Sequence, residues 1–142
     1  LKAAPTWLRS HAGLLRTVLM SHVIELRRVM DWMYSAQVAS AQGGQNGPLP
    51  LGDRRLSTFV SWYEGHGNAL KGNRTFDAMA LPNEILNETY DAIRLKVVEG
   101  IGPEELAGHL SKLAHYSVVL MGDLLRLESE LLLKEMREQA GG

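Results

Sequence analysis

The sequence predicts an all-α fold, an antiparallel four-helix bundle with long first and last helices and two short ones between them. Three observations carry this reading. Apolar residues recur at helical spacing from Thr6 to Gln42, a leucine seam runs from Leu106 to Leu131, and glycine and proline punctuate the chain between those stretches. A length of 142 residues suits one domain, residues 1–142, burying roughly 68–70% of its unfolded surface.

In the first helix Leu8, His11, Leu15, Val18, His22, Leu26, Val29 and Met33 step by three and four, so they share a face that Trp7, Leu14, Leu19, Val23 and Met30 widen. The segment Gln42 to Pro48 ends it, because glycine lowers helix stability and Pro48 disfavours helical geometry in Gly47. Asp53 can cap a second, short helix to about Gly65, with Leu56, Phe59, Val60 and Tyr63 as its inner side. Gly65, Gly67 and Gly72 then break the chain. Pro82 or Asn83 opens a third helix to Val98, carrying Ile85, Leu86, Tyr90, Ile93, Leu95 and Val97, with Gly100 beyond its end.

Pro103 at a first helical position, followed by Glu104 and Glu105, opens the fourth helix with acids that complement its dipole. Its seam is Leu106, Leu110, Leu113, Ser117, Leu120, Leu124, Leu127 and Leu131, with one polar member. A second apolar row, Val118, Met121, Leu125 and Leu132, lies beside the seam, so one row serves the bundle and the other suits a partner copy. The first and last helices each reach on the order of 55 Å and outrun the middle pair. In an up-down-up-down bundle their free ends lie together, so connections to neighbouring domains leave from one end.

The balance of 15 Lys and Arg against 16 Asp and Glu gives no field to draw nucleic acid or an anionic membrane. Without cysteine there is no disulfide framework and no thiolate metal site. No run of apolar residues is long enough to span a membrane, and a cytoplasmic location is compatible with these features. The chain opens at Leu1 rather than Met, which leads to the expectation of a segment with other domains attached at one or both ends.

The stretch Ser57 to Gly67, STFVSWYEGHG, resembles the second-helix motif of the chemoreceptor zinc-binding (CZB) family, where Cys-x-apolar-Gly-x-Trp-Tyr supplies a thiolate to zinc. The likeness continues through Pro82-Asn83-Glu84-Ile85-Leu86-Asn87, standing where the family has Pro-His-x-x-x-His, and through GPEELAGHLSKL to about Glu130. It implies that the family's ligand positions fall on His22, Ser57, Asn83 and Asn87. A hydroxyl and two amides do not replace a thiolate and two imidazoles, so no metal and no cofactor are expected. By the same likeness, Ser57→Cys, Asn83→His and Asn87→His together with His22 would restore a four-ligand zinc site.

Leu49-Pro50-Leu51 followed by Trp62-Tyr63 is also similar to the helical middle domains of globin-coupled diguanylate cyclases. That similarity implies a dimeric relay between a sensor and a domain making cyclic-di-GMP. The alternative is a ligand- or metal-binding sensor of a chemoreceptor or cyclase, in which those four positions line a polar pocket.

Bland readings compete at each position. His22 on the inward stripe reads as a core histidine hydrogen-bonded to a neighbouring helix, Asn83 as a helix cap, Trp62 and Tyr63 as core aromatics with their polar tips partnered, and His66 as a solvated loop residue. Alternatively Asn83 and Asn87 hydrogen-bond Ser57 and His22 as a polar cluster. Glu128 and Glu130 read as solvated helix acids. No nucleophile with a base, phosphate loop, catalytic carboxylate pair or metal pair stands at meaningful spacing, so no catalysis is expected of this chain.

Overall fold

The structure, a computed structural model, describes residues 11–41, 52–100 and 102–141. The Gln42 to Pro48 loop, the Leu49-Pro50-Leu51 opening, Trp7 and Leu8 lie outside them. Every regular element among the described residues is helical: α1 (His11–Ala41), α2 (Thr58–Glu64), α3 (Arg74–Ala78), α4 (Ala80–Glu99) and α5 (Pro103–Gly141), with 3-10 turns at Arg54–Leu56 and His66–Leu70.

α1 buries Leu15, Val18, His22, Val29 and Met33, the stripe its period implies. Leu14, Val23 and Met30 do not widen that buried face as expected. They are 37–40% exposed, because α1 has one densely packed side and these positions fall on its shoulders. α1 and α5 run in opposite directions: Arg16 meets Glu128 near one end, while Met30, Met33 and Tyr34 adjoin Leu106 and Leu110 near the other. The Arg16 fork is bidentate, Nε and Nη2 donating to Glu128 over 2.8 and 2.6 Å. Its Arg16 side is exposed, so it adds little stability.

The expected helix from Asp53 is divided. Asp53 Oδ1 accepts the Arg55 N–H and starts the first 3-10 turn; Ser57 then adopts an extended conformation (ψ 160°) and its Oγ accepts the Val60 N–H to start α2. This break shifts the phase of the preceding turn. Leu56 is therefore 83% exposed rather than buried with Phe59 and Val60, Tyr63 is half-buried, and the turn buries Arg54 in place of Leu56.

A Cβ at Gly67 would stand 2.8 Å from the Trp62 carbonyl and 2.9 Å from its ring, so only glycine lets the chain close over the indole. Next comes α3, a five-residue helix too short for a period to reveal, started by Asn73 Oδ1 accepting the Phe76 N–H. It delivers Phe76 to an aromatic cluster in which Tyr63 stacks on Phe59 and Phe76 at 5.6 and 4.9 Å and Trp62 meets Phe76 edge-on at 5.8 Å. Thr75 Oγ1 donates to Glu130 Oε1 over 2.8 Å. Glu128 and Glu130 thus make tertiary contacts; Glu130 stays exposed, as the solvated reading has it, while Glu128 is half-buried.

α4 starts at Ala80, before the expected Pro82 or Asn83, with Pro82 in the first turn where its missing N–H costs nothing. Leu86, Tyr90 and Ile93 point inward, but Leu95 is 66% exposed. The side chain of Val97 lies outside the described set. Gly100 (φ 92°) takes the left-handed conformation that ends the helix.

α5 continues unbroken for 39 residues, about 58 Å. Leu106, Leu113, Ser117, Leu120, Leu124 and Leu127 are buried and Leu110 and Leu131 pack against them, as the seam implies. It packs on α1, α4 and α3. Beyond Leu131 every described side chain except that of Glu135 is exposed, so the last turns extend past what covers the helix among the described residues.

Candidate functional site: a buried guanidinium

Two of the four positions singled out by the family likeness, Asn83 and Asn87, converge on a residue that likeness does not include. Arg54, 3% exposed, is turned inward by the 3-10 turn that Asp53 caps, while its neighbour Arg55 stays at the surface and pairs with Asp91 at 2.9 Å. Arg54 Nη1 donates to Asn83 Oδ1 (2.6 Å), to Asn87 Oδ1 (2.8 Å) and, at longer range, to the Asn83 carbonyl (3.3 Å). The guanidinium carbon lies 5.4 Å from the Phe59 ring centre and 5.8 Å from that of Tyr90, within cation-π range of both.

These contacts correct two readings. Asn83 is no helix cap, since its own N–H bonds to the Met79 carbonyl inside α4 and its side chain serves Arg54. Nor do Asn83 and Asn87 bond Ser57 and His22; Ser57 Oγ is occupied in capping α2. The i,i+4 spacing does bring the two amides to one point, as the sequence expects, but that point holds a cation.

His22 is 1% exposed, with its ring centre 6.2 Å from that of Phe59. The ring approaches the Ser117 backbone, yet neither nitrogen meets a partner in hydrogen-bond geometry, in contrast to the expected partnered histidine. Burial, and next the positive charge of Arg54, push its pKa down to about 4. Burial lowers Arg54 to about 10, which leaves it a cation at neutral pH, and raises Tyr90 to about 12. Glu25 feels the same charge, although burial is the larger influence and pushes its carboxyl up; its Oε1 accepts the Thr58 N–H over 3.2 Å.

Five buried polar atoms of this cluster have no hydrogen-bond partner: both nitrogens of His22, Nε and Nη2 of Arg54, and Oγ of Ser117. Trp62 Nε1 is likewise unpartnered, so the indole does not find the partner expected of it. His66 is exposed, as a loop position implies.

The residues present do not suit zinc. No group of three or more His, Asp, Glu or Cys side chains is arranged to hold a metal among the described residues, and the two amide oxygens are taken by a guanidinium whose positive charge also reaches His22. Elsewhere, Met30, Met33, Tyr34, Leu106 and Leu110 line an apolar cleft of about 230 Å³ between α1 and α5. No helix is long and apolar enough to cross a membrane among the described residues.

Arg54 escapes sequence reading because an arginine pair after a capping Asp reads as a solvated turn. Nothing in the spacing of Asp53-Arg54-Arg55 distinguishes the arginine that is buried from the one that stays at the surface. Comparisons with protein-family models, with curated proteins and with solved structures gave no match.

Proposed function

We propose that this chain is the relay module of a bacterial signalling protein, a dimeric antiparallel four-helix bundle joining a sensor to an output domain of diguanylate cyclase type. The observation that carries it is α5, an unbroken helix whose last turns extend past what covers it among the described residues. A projecting helix transmits rotation or tilt to whatever follows it, and Ser117, buried with its hydroxyl unpartnered, weakens the packing of one register at mid-helix. The module works by a change in helix packing and performs no catalysis of its own. It acts in the cytoplasm, without nucleic acid or membrane as partner.

In the full-length protein, a four-residue insertion after Leu133 turns downstream positions by about 40° and is expected to change output activity, whereas a seven-residue insertion nearly keeps the heptad register and is expected to preserve it. Equal activity in both variants and the wild type would make α5 a passive spacer.

Dimerisation is assigned to the outward row of α5, where Val118, Leu125 and Leu132 are 62, 47 and 41% exposed. On α1, Met20 and Val23 are likewise exposed, one and two turns after the Arg16 that pairs with Glu128 of α5. Light scattering at micromolar concentration is expected to give about twice 15.7 kDa, and Leu125→Glu with Leu132→Glu to halve it. A wild-type monomer would refute this interface.

The second reading, a domain that itself detects a ligand, is favoured by the buried cluster of unpartnered donors around Arg54. Metal is the wrong ligand class for it, because the fixed charge there is positive.

A further inference from the structure

We propose that the Arg54 cluster binds a small planar oxyanion, of the carboxylate, bicarbonate or nitrate class, held by the Nε and Nη2 edge of the guanidinium between α1, α4 and α5. This deepens the second reading above and does not depend on the relay role.

The guanidinium has two faces of use. Nη1 is consumed by Asn83 and Asn87 on α4, whereas Nε and Nη2 are both buried and unpartnered. Those two N–H groups are parallel and form the fork that matches two oxygens of one planar anion. Nη1 faces the two α4 amides, and the Arg54 charge reaches His22 and Glu25 on α1 as well as Tyr90 on α4.

The fork presents two donors and one full positive charge, whereas neutral His22 and Ser117 each bring both a donor and an acceptor, and the His22 ring already approaches the Ser117 backbone. No carboxylate lies within ion-pair distance of Arg54 among the described residues; Glu25 is turned to the Thr58 N–H. A buried cation without a counter-ion is costly, and more than nine-tenths of buried polar groups in folded proteins are partnered. Water would meet the N–H groups of the fork without offsetting its charge. An oxyanion brings acceptors and the opposite charge. The rings of Phe59 and Tyr90 near the guanidinium favour a flat ligand over a tetrahedral one.

The test is calorimetric titration of the intact domain with sodium formate, acetate, bicarbonate and nitrate, using chloride and sulfate at matched ionic strength as controls. Saturable binding of at least one planar anion, one per chain, is expected. It should shift the His22 ring signals in histidine-labelled protein, and be lost in Arg54→Lys, which keeps the charge but not the fork. Glu25→Gln, removing the nearest competing carboxylate, is expected to tighten binding several-fold. Absence of saturable binding by every planar anion to the folded wild type overturns the proposal. So does equal binding to Arg54→Lys, or a Glu25 ion pair to the fork seen in solution. If Arg54→Lys does not fold, Arg54→Met serves in its place, and the His22 shifts in the wild type decide on their own. Failure here leaves the relay reading intact, since that is read from insertions in the full-length protein.

Discussion

Combining Ser57→Cys, Asn83→His and Asn87→His is expected to leave the domain without tight zinc, and adding Arg54→Ala to those three is expected to create it. The sequence alone expects the triple variant to suffice, since with His22 it supplies four ligands. Arg54 reverses that expectation. Its Nη1 lies 2.6 and 2.8 Å from the two amide oxygens that the new imidazoles would replace. A divalent ion about 4 Å from a guanidinium is opposed by on the order of 8 kcal/mol at an effective dielectric constant near 20. Structural zinc supplies about 10 kcal/mol or somewhat more, so the guanidinium cancels most of the gain. Ser57→Cys also removes the α2 cap, at a cost of about 1 kcal/mol. Elemental analysis should find one zinc per chain only in the quadruple variant, with a raised melting temperature that His22→Ala abolishes. One tightly held zinc in the triple variant would contradict the placement of Arg54. A folded quadruple variant that takes none would show that the four positions do not converge.

Acidification from about pH 6.5 to 4 is expected to destabilise the domain through His22 by on the order of 3 kcal/mol. Burial, aided by Arg54, lowers the folded-state pKa from 6.5 to about 4. Below 6.5 the unfolded chain takes up a proton that the folded state refuses, so this stabilising contribution is complete above pH 6.5 and is lost as pH falls toward 4. Glu25 acts in the opposite direction, because burial pushes its carboxyl up and the folded state binds that proton more readily. Denaturant unfolding of wild type and His22→Leu across this range separates the two: the difference between them should move in favour of the leucine variant as pH falls. A constant difference would mean that His22 titrates normally and is not buried as described. At neutral pH the leucine variant should lose little, since it removes two buried nitrogens that have no partners.

The sequence by itself determined the helical class and the inner faces of the long helices. Leu15, Val18, Val29 and Met33 on α1, and Leu106, Leu113, Leu120, Leu124 and Leu127 on α5, are buried where a period near 3.6 places them. Such repeats are legible because each position is specified again one turn later, so the pattern survives ignorance of what it packs against. The Ser117 interruption and the convergence of Asn83 with Asn87 were legible for the same reason.

What the tertiary structure alone decided lies between Asp53 and Ala80, where elements are shorter than the repeat that would announce them. A 3-10 turn ending in an extended Ser57 moves Leu56 out and Arg54 in, and α3 forms from five residues. The site followed from that. The amides were visible in the sequence, but the cation they bind approaches from another element, and no spacing within α4 encodes the approach of a side chain from a turn 29 residues earlier. Local periodicity fixes which face of a helix is inward; only the packing of several elements fixes which charge that face must accommodate.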